Sequence, residues 1–149
     1  LLRMEFWKEF LKKMNARSNL YANVSPSKAN WIAGATGITG IHLNASITNY
    51  YARPELYFSR KEEEENKLAF DELYSHKDEI EKTFGNKLTW ERLDTKKACR
   101  IKYELSDVDY FNRDDWGKMI DFLVDGMIRM ERAFGPYFSK VKARLKNSE

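Results

Sequence analysis

One segment of the sequence, residues 41–48, constrains the fold more firmly than any other. Its apolar and polar residues alternate strictly: Ile41, Leu43, Ala45 and Ile47 against His42, Asn44, Ser46 and Thr48. A period of two is typical of a β-strand with one buried face, because successive side chains point to opposite sides of a strand. We therefore predict a half-buried strand here.

A glycine pattern directly before this strand suggests a competing interpretation. The run Gly34-Ala35-Thr36-Gly37-Ile38-Thr39-Gly40 looks like the dinucleotide-binding fingerprint of short-chain dehydrogenases, and Tyr57 and Lys61 have the spacing of their catalytic pair. That fingerprint needs a helix to begin at its last glycine, so that the helix N-terminus meets the pyrophosphate. Because we predict a strand after Gly40, we interpret the glycines as a hairpin turn.

The rest of the sequence divides into helical and extended segments. Apolar residues three and four positions apart predict helices over residues 2–16, 62–84 and 116–134. Further strands are predicted over residues 31–35, 50–58, 88–93 and 99–105. Pro54 predicts an edge position or a bulge for its strand, because proline has no N–H to donate.

These elements predict an α+β fold of order α-β-β-β-α-β-β-α. Strands joined by short turns pair antiparallel, so we expect an antiparallel sheet of about five strands. The helices carry single apolar stripes, and one face of the sheet is the place where those stripes can be buried. The other face would remain open.

Composition limits the class of protein. With 149 residues, of which 42% are hydrophobic, the chain can bury one core, and we treat residues 1–149 as a single domain. The net charge of +3 is too small to indicate a nucleic-acid binder by itself. No apolar run approaches the about 20 residues that span a bilayer, so we expect no membrane partner. The single Cys99 excludes an internal disulfide and suits a reducing compartment, so we expect a cytoplasmic protein.

Short segments spread along the chain carry a family resemblance. They are Phe6-Trp7, Trp31, Gly40–Leu43, Arg53–Tyr57, Phe70–Leu73, Ile80–Trp90, Lys96–Ile101 and Asp115-Trp116. Together they resemble the bacterial and archaeal domain of unknown function family 4268, which has no assigned activity. The resemblance implies the C-terminal part of a longer protein whose N-terminal part is a restriction-nuclease-like domain. The start of the chain at Leu1, inside a predicted helix, agrees with a longer polypeptide or with missing first residues.

No catalytic or metal-binding pattern is legible in the sequence. Restriction-type nucleases need an Asp and then Glu-x-Lys at a strand end, and neither Glu55-Leu56-Tyr57 nor Glu104-Leu105-Ser106 contains the lysine. An acidic cluster without the spacing of a calcium loop is formed by Asp107, Asp109, Asp114 and Asp115. Cys99 falls on the apolar side of its strand, which predicts an inert core thiol. We expect no metal and no cofactor.

The polar face of the predicted sheet is the strongest candidate for a site. It would carry His42, Asn44, Ser46, Arg53, Glu55, Tyr57, Arg100, Lys102 and Glu104. The ordinary interpretation is a solvated face with cross-strand ion pairs. The functional interpretation is a platform where arginines contact phosphates and Tyr57 stacks on a base, extended by loop lysines. The candidate binding residues are Arg53, Glu55, Tyr57, Lys96, Lys97, Arg100 and Lys102.

Three functions follow from these observations, in order of preference. The first is a non-catalytic accessory domain that binds nucleic acid, attached to a nuclease-like domain in a defence or repair protein. The second is a protein-interaction or oligomerisation domain that uses a sheet edge or the long last helix. The third is an enzyme whose site is assembled from distant residues such as Glu55, Glu91 and Arg100.

Overall fold

The computed structural model describes residues 1–148, which form six strands and five α-helices. The strands are β1 Trp31–Ala35, β2 Ile41–Ile47, β3 Tyr51–Phe58, β4 Thr89–Glu91, β5 Cys99–Lys102 and β6 Leu105–Ser106. The helices are α1 Leu2–Asn15, α2 Glu63–Tyr74, α3 Lys77–Phe84, α4 Trp116–Phe134 and α5 Phe138–Asn147. Two 3-10 turns, Arg113–Asp115 and Gly135–Tyr137, directly precede α4 and α5. The α+β class is confirmed.

The alternating segment forms β2, as predicted. Gly37 and Gly40 have φ angles of +83° and +79°, a region that glycine enters without steric cost. They turn the chain from β1 into β2, which pairs antiparallel with β1 so that Trp31 lies opposite Ser46. No helix begins at Gly40, and this excludes the dinucleotide-binding interpretation.

All strand pairs are antiparallel, and the order across the sheet is β1-β2-β3-β5-β4, with β6 also paired to β3. The helices cover one face, where α4 packs against β2 and β3 and α2 packs against β3 and β5. The apolar side chains of β2 are buried on this side, at Ile41, Leu43, Ala45 and Ile47. The predicted arrangement of helices on the sheet is confirmed.

Pro54 lies in the central strand β3, and the register of β3 with its neighbours is continuous, so the prediction of an edge position or a bulge is wrong. The sheet compensates for the missing N–H by interrupting the neighbouring strand. Glu55 pairs with Lys102 of β5, and Ala52 pairs with Leu105 of β6. Both pairs follow the same register, so β5 and β6 form one line beside β3 that is interrupted at residues 103–104. Tyr103 donates its N–H to the Pro54 carbonyl at 3.1 Å, but Pro54 has no N–H to return.

The helix predicted over residues 62–84 is two helices, because the chain breaks at Ser75 and His76. The Ser75 hydroxyl donates to the Glu72 carbonyl at 2.6 Å, a bond that competes with the helical ladder. His76 packs its ring on Tyr137, 4.6 Å between centroids. The break allows α2 to pack against α5 while α3 packs against α4.

None of the helices within residues 1–148 combines the length and apolarity that crossing a bilayer requires.

Candidate binding site on the open sheet face

Cross-strand neighbours form three rows on the sheet face that is turned away from the helices. The rows are Trp31–Ser46–Arg53, Ala33–Asn44–Glu55–Lys102 and His42–Tyr57–Arg100–Glu91. Because directly opposed residues in an antiparallel sheet project to the same side, the predicted polar residues share one surface. The sequence-based assignment of this face is confirmed.

This face is concave and holds a hollow of about 590 Å³. Three polar residues at its centre are buried, with 9% of Asn44, 6% of Ser46 and 4% of Glu55 exposed. The larger side chains of Arg53 and Arg100 also line the hollow. The centre of the face is therefore less exposed than the ordinary interpretation of a solvated face predicts, and the cross-strand ion pairs of that interpretation are present.

Glu55 is the centre of an ion-pair network. Its Oε1 accepts from Arg53 Nε at 2.8 Å and its Oε2 accepts from Arg100 Nε at 3.2 Å. Burial lowers the pKa of Arg53, but the charge of the Glu55 carboxylate raises it to a net value above the ordinary one. Each carboxylate oxygen of Glu55 therefore accepts a hydrogen bond from a permanently charged arginine. A carboxylate that is paired in this way is poorly suited to act as a general base.

An outer ring of charges completes the network. Arg53 Nη1 lies 3.4 Å from Glu104, and Arg100 Nη1 lies 3.4 Å from Glu91. Lys102 Nζ lies 3.4 Å from Glu104 and 3.8 Å from Glu91. Three cations and three carboxylates thus alternate, and their charges cancel. The three residues named for the enzyme alternative lie close together, since Arg100 contacts both Glu55 and Glu91. This proximity is the only support for that alternative.

Aromatic rings surround the charged centre. The guanidinium of Arg53 lies 4.3 Å from the ring centroid of Tyr51, and that of Arg100 lies 5.5 Å from the centroid of Tyr57. Trp31, on the edge strand β1, is 50% exposed and also lines the hollow. The exposed half of such a large aromatic side chain, beside a concave polar surface, offers a flat group on which a planar ligand can stack.

Asn44 is the unusual residue of the hollow. Its side-chain Oδ1 is buried and has no hydrogen-bond partner within the described part of the chain. Leaving a buried polar atom unpaired costs about 1–3 kcal/mol, so such atoms in proteins call for an explanation. Rotation of the Asn44 amide that brings Oδ1 to a donor in the hollow, from water or from a ligand, removes this cost.

The family model described as domain of unknown function (DUF4268) matches residues 2–138. The chain belongs to this family. The matched residues of the DUF4268 domain include the whole sheet and α1 to α4, and therefore every residue of the hollow. No curated protein and no solved structure shows a significant match to the chain.

The structure of the DUF4268 domain brings most of the predicted binding residues together. Arg53, Glu55, Tyr57 and Arg100 line the hollow, and Lys102 extends the row of Glu55. Lys96 and Lys97 lie outside it, exposed on the loop between β4 and β5. Trp31 and Tyr51 also line the hollow and were not predicted to do so. Tyr51 falls on the polar side of β3, whereas β1 is apolar throughout and has no alternation that would mark Trp31.

Two buried residues of α2, also missed, hold the loop that carries Lys96 and Lys97. Lys67 Nζ donates to the carbonyls of Arg92, Leu93 and Ala98 at 2.6, 2.8 and 3.0 Å. Asn66 Nδ2 donates to the Lys97 carbonyl at 3.0 Å and to the Arg60 carbonyl at 3.2 Å. The loop is thereby fixed beside the end of β3. No sequence signal marks these contacts, because they join segments about thirty residues apart.

Metal and thiol chemistry have little support in this DUF4268 domain. Within residues 1–148, no three His, Cys, Asp or Glu side chains are grouped so that they could hold a metal ion. Cys99 is buried on the helix-covered side of β5, and this burial raises the pKa of its thiol. A protonated, enclosed thiol is a poor nucleophile.

Proposed function

We propose that this DUF4268 domain is a non-catalytic accessory domain that binds unpaired, single-stranded nucleic acid on its open sheet face. The observation that carries the proposal is the unpartnered Asn44 Oδ1 in a hollow lined by Trp31, Tyr51 and Tyr57. An unstacked base offers a planar ring for the aromatic side chains and N–H donors on its edge for the amide.

The charge pattern favours a base-binding hollow over a phosphate-binding one. Arg53, Arg100 and Lys102 are neutralised by three glutamates, so they contribute little net attraction for a phosphate. A hollow of about 590 Å³ has the size of a site for a small organic group, not for a duplex. Phosphates would meet Lys96 and Lys97 on the rigid loop instead.

The biological setting belongs to the same proposal. The family resemblance supports a place in a bacterial or archaeal defence or repair protein, in the cytoplasm, behind a nuclease-like N-terminal domain. In that setting a single-strand site would hold a displaced or frayed strand close to the nuclease. The domain itself would supply affinity without catalysis.

Fluorescence anisotropy with labelled oligonucleotides tests the proposal. The protein is titrated against single-stranded DNA, single-stranded RNA and a duplex, each at low and high salt. Single strands should bind more tightly than the duplex, and binding should weaken with salt. Absence of single-strand binding even at low salt would overturn the proposal.

Two variants and one control locate the site. Trp31→Ala should weaken binding about 5- to 150-fold, because stacking on one aromatic ring is worth about 1–3 kcal/mol. Asn44→Leu should also weaken binding while raising thermal stability, because it removes a buried unpaired carbonyl. Tyr50→Ala, at a 71% exposed aromatic residue outside the hollow, should bind as the parent does. Equal affinity for all three variants would contradict the assignment.

Oligomerisation through β1 is the second candidate. This edge strand, Trp31-Ile32-Ala33-Gly34-Ala35, contains no charged residue, and uncharged edges are prone to pair with another strand. The last long helix is less suited to this role, because its apolar stripe is buried against the sheet. Sedimentation equilibrium over a wide concentration range decides: self-association that Ala33→Pro abolishes supports this candidate, and a monomer at every concentration excludes it.

A further inference from the structure

A second, smaller hollow of about 370 Å³ lies between the β1–β2 turn and α5. It is lined by turn residues 37–39 together with Arg60, Lys142 and Lys146. Lys142 and Lys146 are four residues apart, so they lie on one face of α5, and both are exposed. We call this the turn–α5 surface.

The turn and the helix approach closely at Gly37. A Cβ atom at this position would lie 3.3 Å from Lys142 Nζ, and the φ angle of +83° also favours glycine. The Lys142 ammonium thus lies over a turn that has no side chain at this point. Arg60 is fixed on the other side, because its Nη1 donates to the Thr39 carbonyl at 2.7 Å.

Among residues 1–148, Arg60 is the only cation of the turn–α5 surface that has an acidic partner. Within residues 1–148 neither Lys142 nor Lys146 forms an ion pair, while Arg144 between them points away and pairs with Glu72 at 3.5 Å. Arg60 shares its charge with Glu65 at 3.4 Å. The surface therefore carries a net positive charge, in contrast to the balanced network of the first hollow.

The two hollows are neighbours at one end of the sheet. Ser59 lines the first and Arg60 lines the second, and consecutive Cα atoms are only about 3.8 Å apart. Asn66 binds the backbone of Arg60 and of Lys97, which brings the exposed Lys96–Lys97 loop to the same end. The unpaired cations near the first hollow thus lie at one end of it.

We propose that Lys142 and Lys146 bind the phosphate backbone of the strand whose unstacked base occupies the first hollow. This inference rests on the proposed function. The two surfaces have different roles. The first hollow contacts bases, and the turn–α5 surface contacts phosphates and directs the strand around the β1–β2 turn. The ligand class is a single strand longer than one nucleotide.

A charge-reversal pair with a matched control tests this inference. The test variant is Lys142→Glu with Lys146→Glu, and the control is Lys8→Glu with Lys12→Glu. The control pair is also exposed, also four residues apart on a helix, and forms no ion pair within residues 1–148. Both double variants change the net charge by the same amount, so any difference between them reports position.

Anisotropy titrations with a single-stranded oligonucleotide at several salt concentrations give the readout. The test variant should bind at least about 10-fold more weakly at low salt. The plot of the logarithm of the binding constant against the logarithm of the salt concentration should become less steep by about 1.4, because each of the two lost phosphate contacts contributes about 0.7 to the slope. The control should keep the parental slope. Equal slopes and affinities for the two double variants would overturn the inference.

The outcomes separate this inference from the proposed function. If Trp31→Ala and Asn44→Leu weaken binding but the lysine variant behaves as its control, the base-binding hollow stands and the phosphate contact is wrong. If the lysine variant alone weakens binding, the phosphate contact stands and the base-binding hollow is wrong. If no oligonucleotide binds at any salt concentration, both are wrong. Circular dichroism of each variant confirms that the fold is intact.

Discussion

Pro54 in the central strand fits against Gly126 in the middle of α4. A Cβ atom at Gly126 would lie 2.7 Å from Pro54 Cγ, well inside van der Waals contact. The absence of a side chain lets α4 approach β3 closely, and it places the proline ring under a helix instead of at a sheet edge. A residue that is unusual in a central strand is thus matched by one that is unfavourable in a helix interior.

Gly126→Ala should therefore destabilise the domain by about 1–3 kcal/mol through overpacking. Gly117→Ala is the matched control in the same helix, where a new Cβ meets nothing within 4 Å. It should be neutral or stabilising by up to about 1 kcal/mol, because alanine favours helix. Urea unfolding measures both. Introducing Pro54→Ala first should reduce the cost of Gly126→Ala, and an undiminished cost would show that the two residues are not coupled.

Lys67→Met should destabilise the domain by at least about 2 kcal/mol, because three carbonyls lose a charged donor. The exposed Lys82→Met in α3 is the control and should have an effect of less than about 0.5 kcal/mol. Trypsin should cleave the Lys67 variant faster after Lys96 or Lys97, since their loop is no longer held. Parental cleavage rates would argue against the role of Lys67 in fixing this loop.

Glu55→Gln should cost about 1.5–3 kcal/mol of folding free energy, because the buried Glu55 side chain loses the charge that pairs it with two half-buried guanidinium donors. Glu91→Gln removes a carboxylate of the outer ring, which is 29% exposed and accepts at 3.4 Å or longer, and should cost less than about 1 kcal/mol. Chemical denaturation compares the two. A larger loss for Glu91→Gln would place the centre of the network elsewhere.

Tyr21 gives the domain a specific sensitivity to alkali. Its hydroxyl donates to the Leu43 carbonyl at 2.5 Å, and burial raises its pKa well above 10.0. As the pH rises through about 10, tyrosine in the unfolded chain loses its proton first. The folded state then holds more protons than the unfolded state, so stability falls with increasing pH.

Tyr21→Phe should remove this component. At neutral pH the variant should be about 1–2 kcal/mol less stable than the parent, because the Leu43 carbonyl loses its donor. The difference should shrink as urea unfolding is repeated from pH 7 to about pH 10.5, since only the parent has the Tyr21 hydroxyl to ionise. Tyr50→Phe, at an exposed position, should follow the parent. A constant difference across this range would contradict the assignment.

Local periodicity was sufficient for much of the fold and for part of the site. The alternation in residues 41–48 assigned β2 and the polar face, since the direction of a strand side chain depends only on its position in the strand. The same rule placed Arg53, Glu55 and Tyr57 on one surface. The break between α2 and α3 was not predictable in this way, because the contact between His76 and Tyr137 joins residues 61 positions apart.

The sequence by itself determined which residues are extended, which are helical and which side chains share the open face, because these depend on neighbours within a few positions. Only the tertiary structure decided that Pro54 is central, that Glu55 is enclosed by two arginines, and that Asn44 lacks a partner. These properties depend on the curvature of the sheet and on the packing of α4, which bring together residues that are distant in sequence. The geometry of the candidate site therefore depends on tertiary packing, whereas the residues that form it follow from the alternating pattern of the strands.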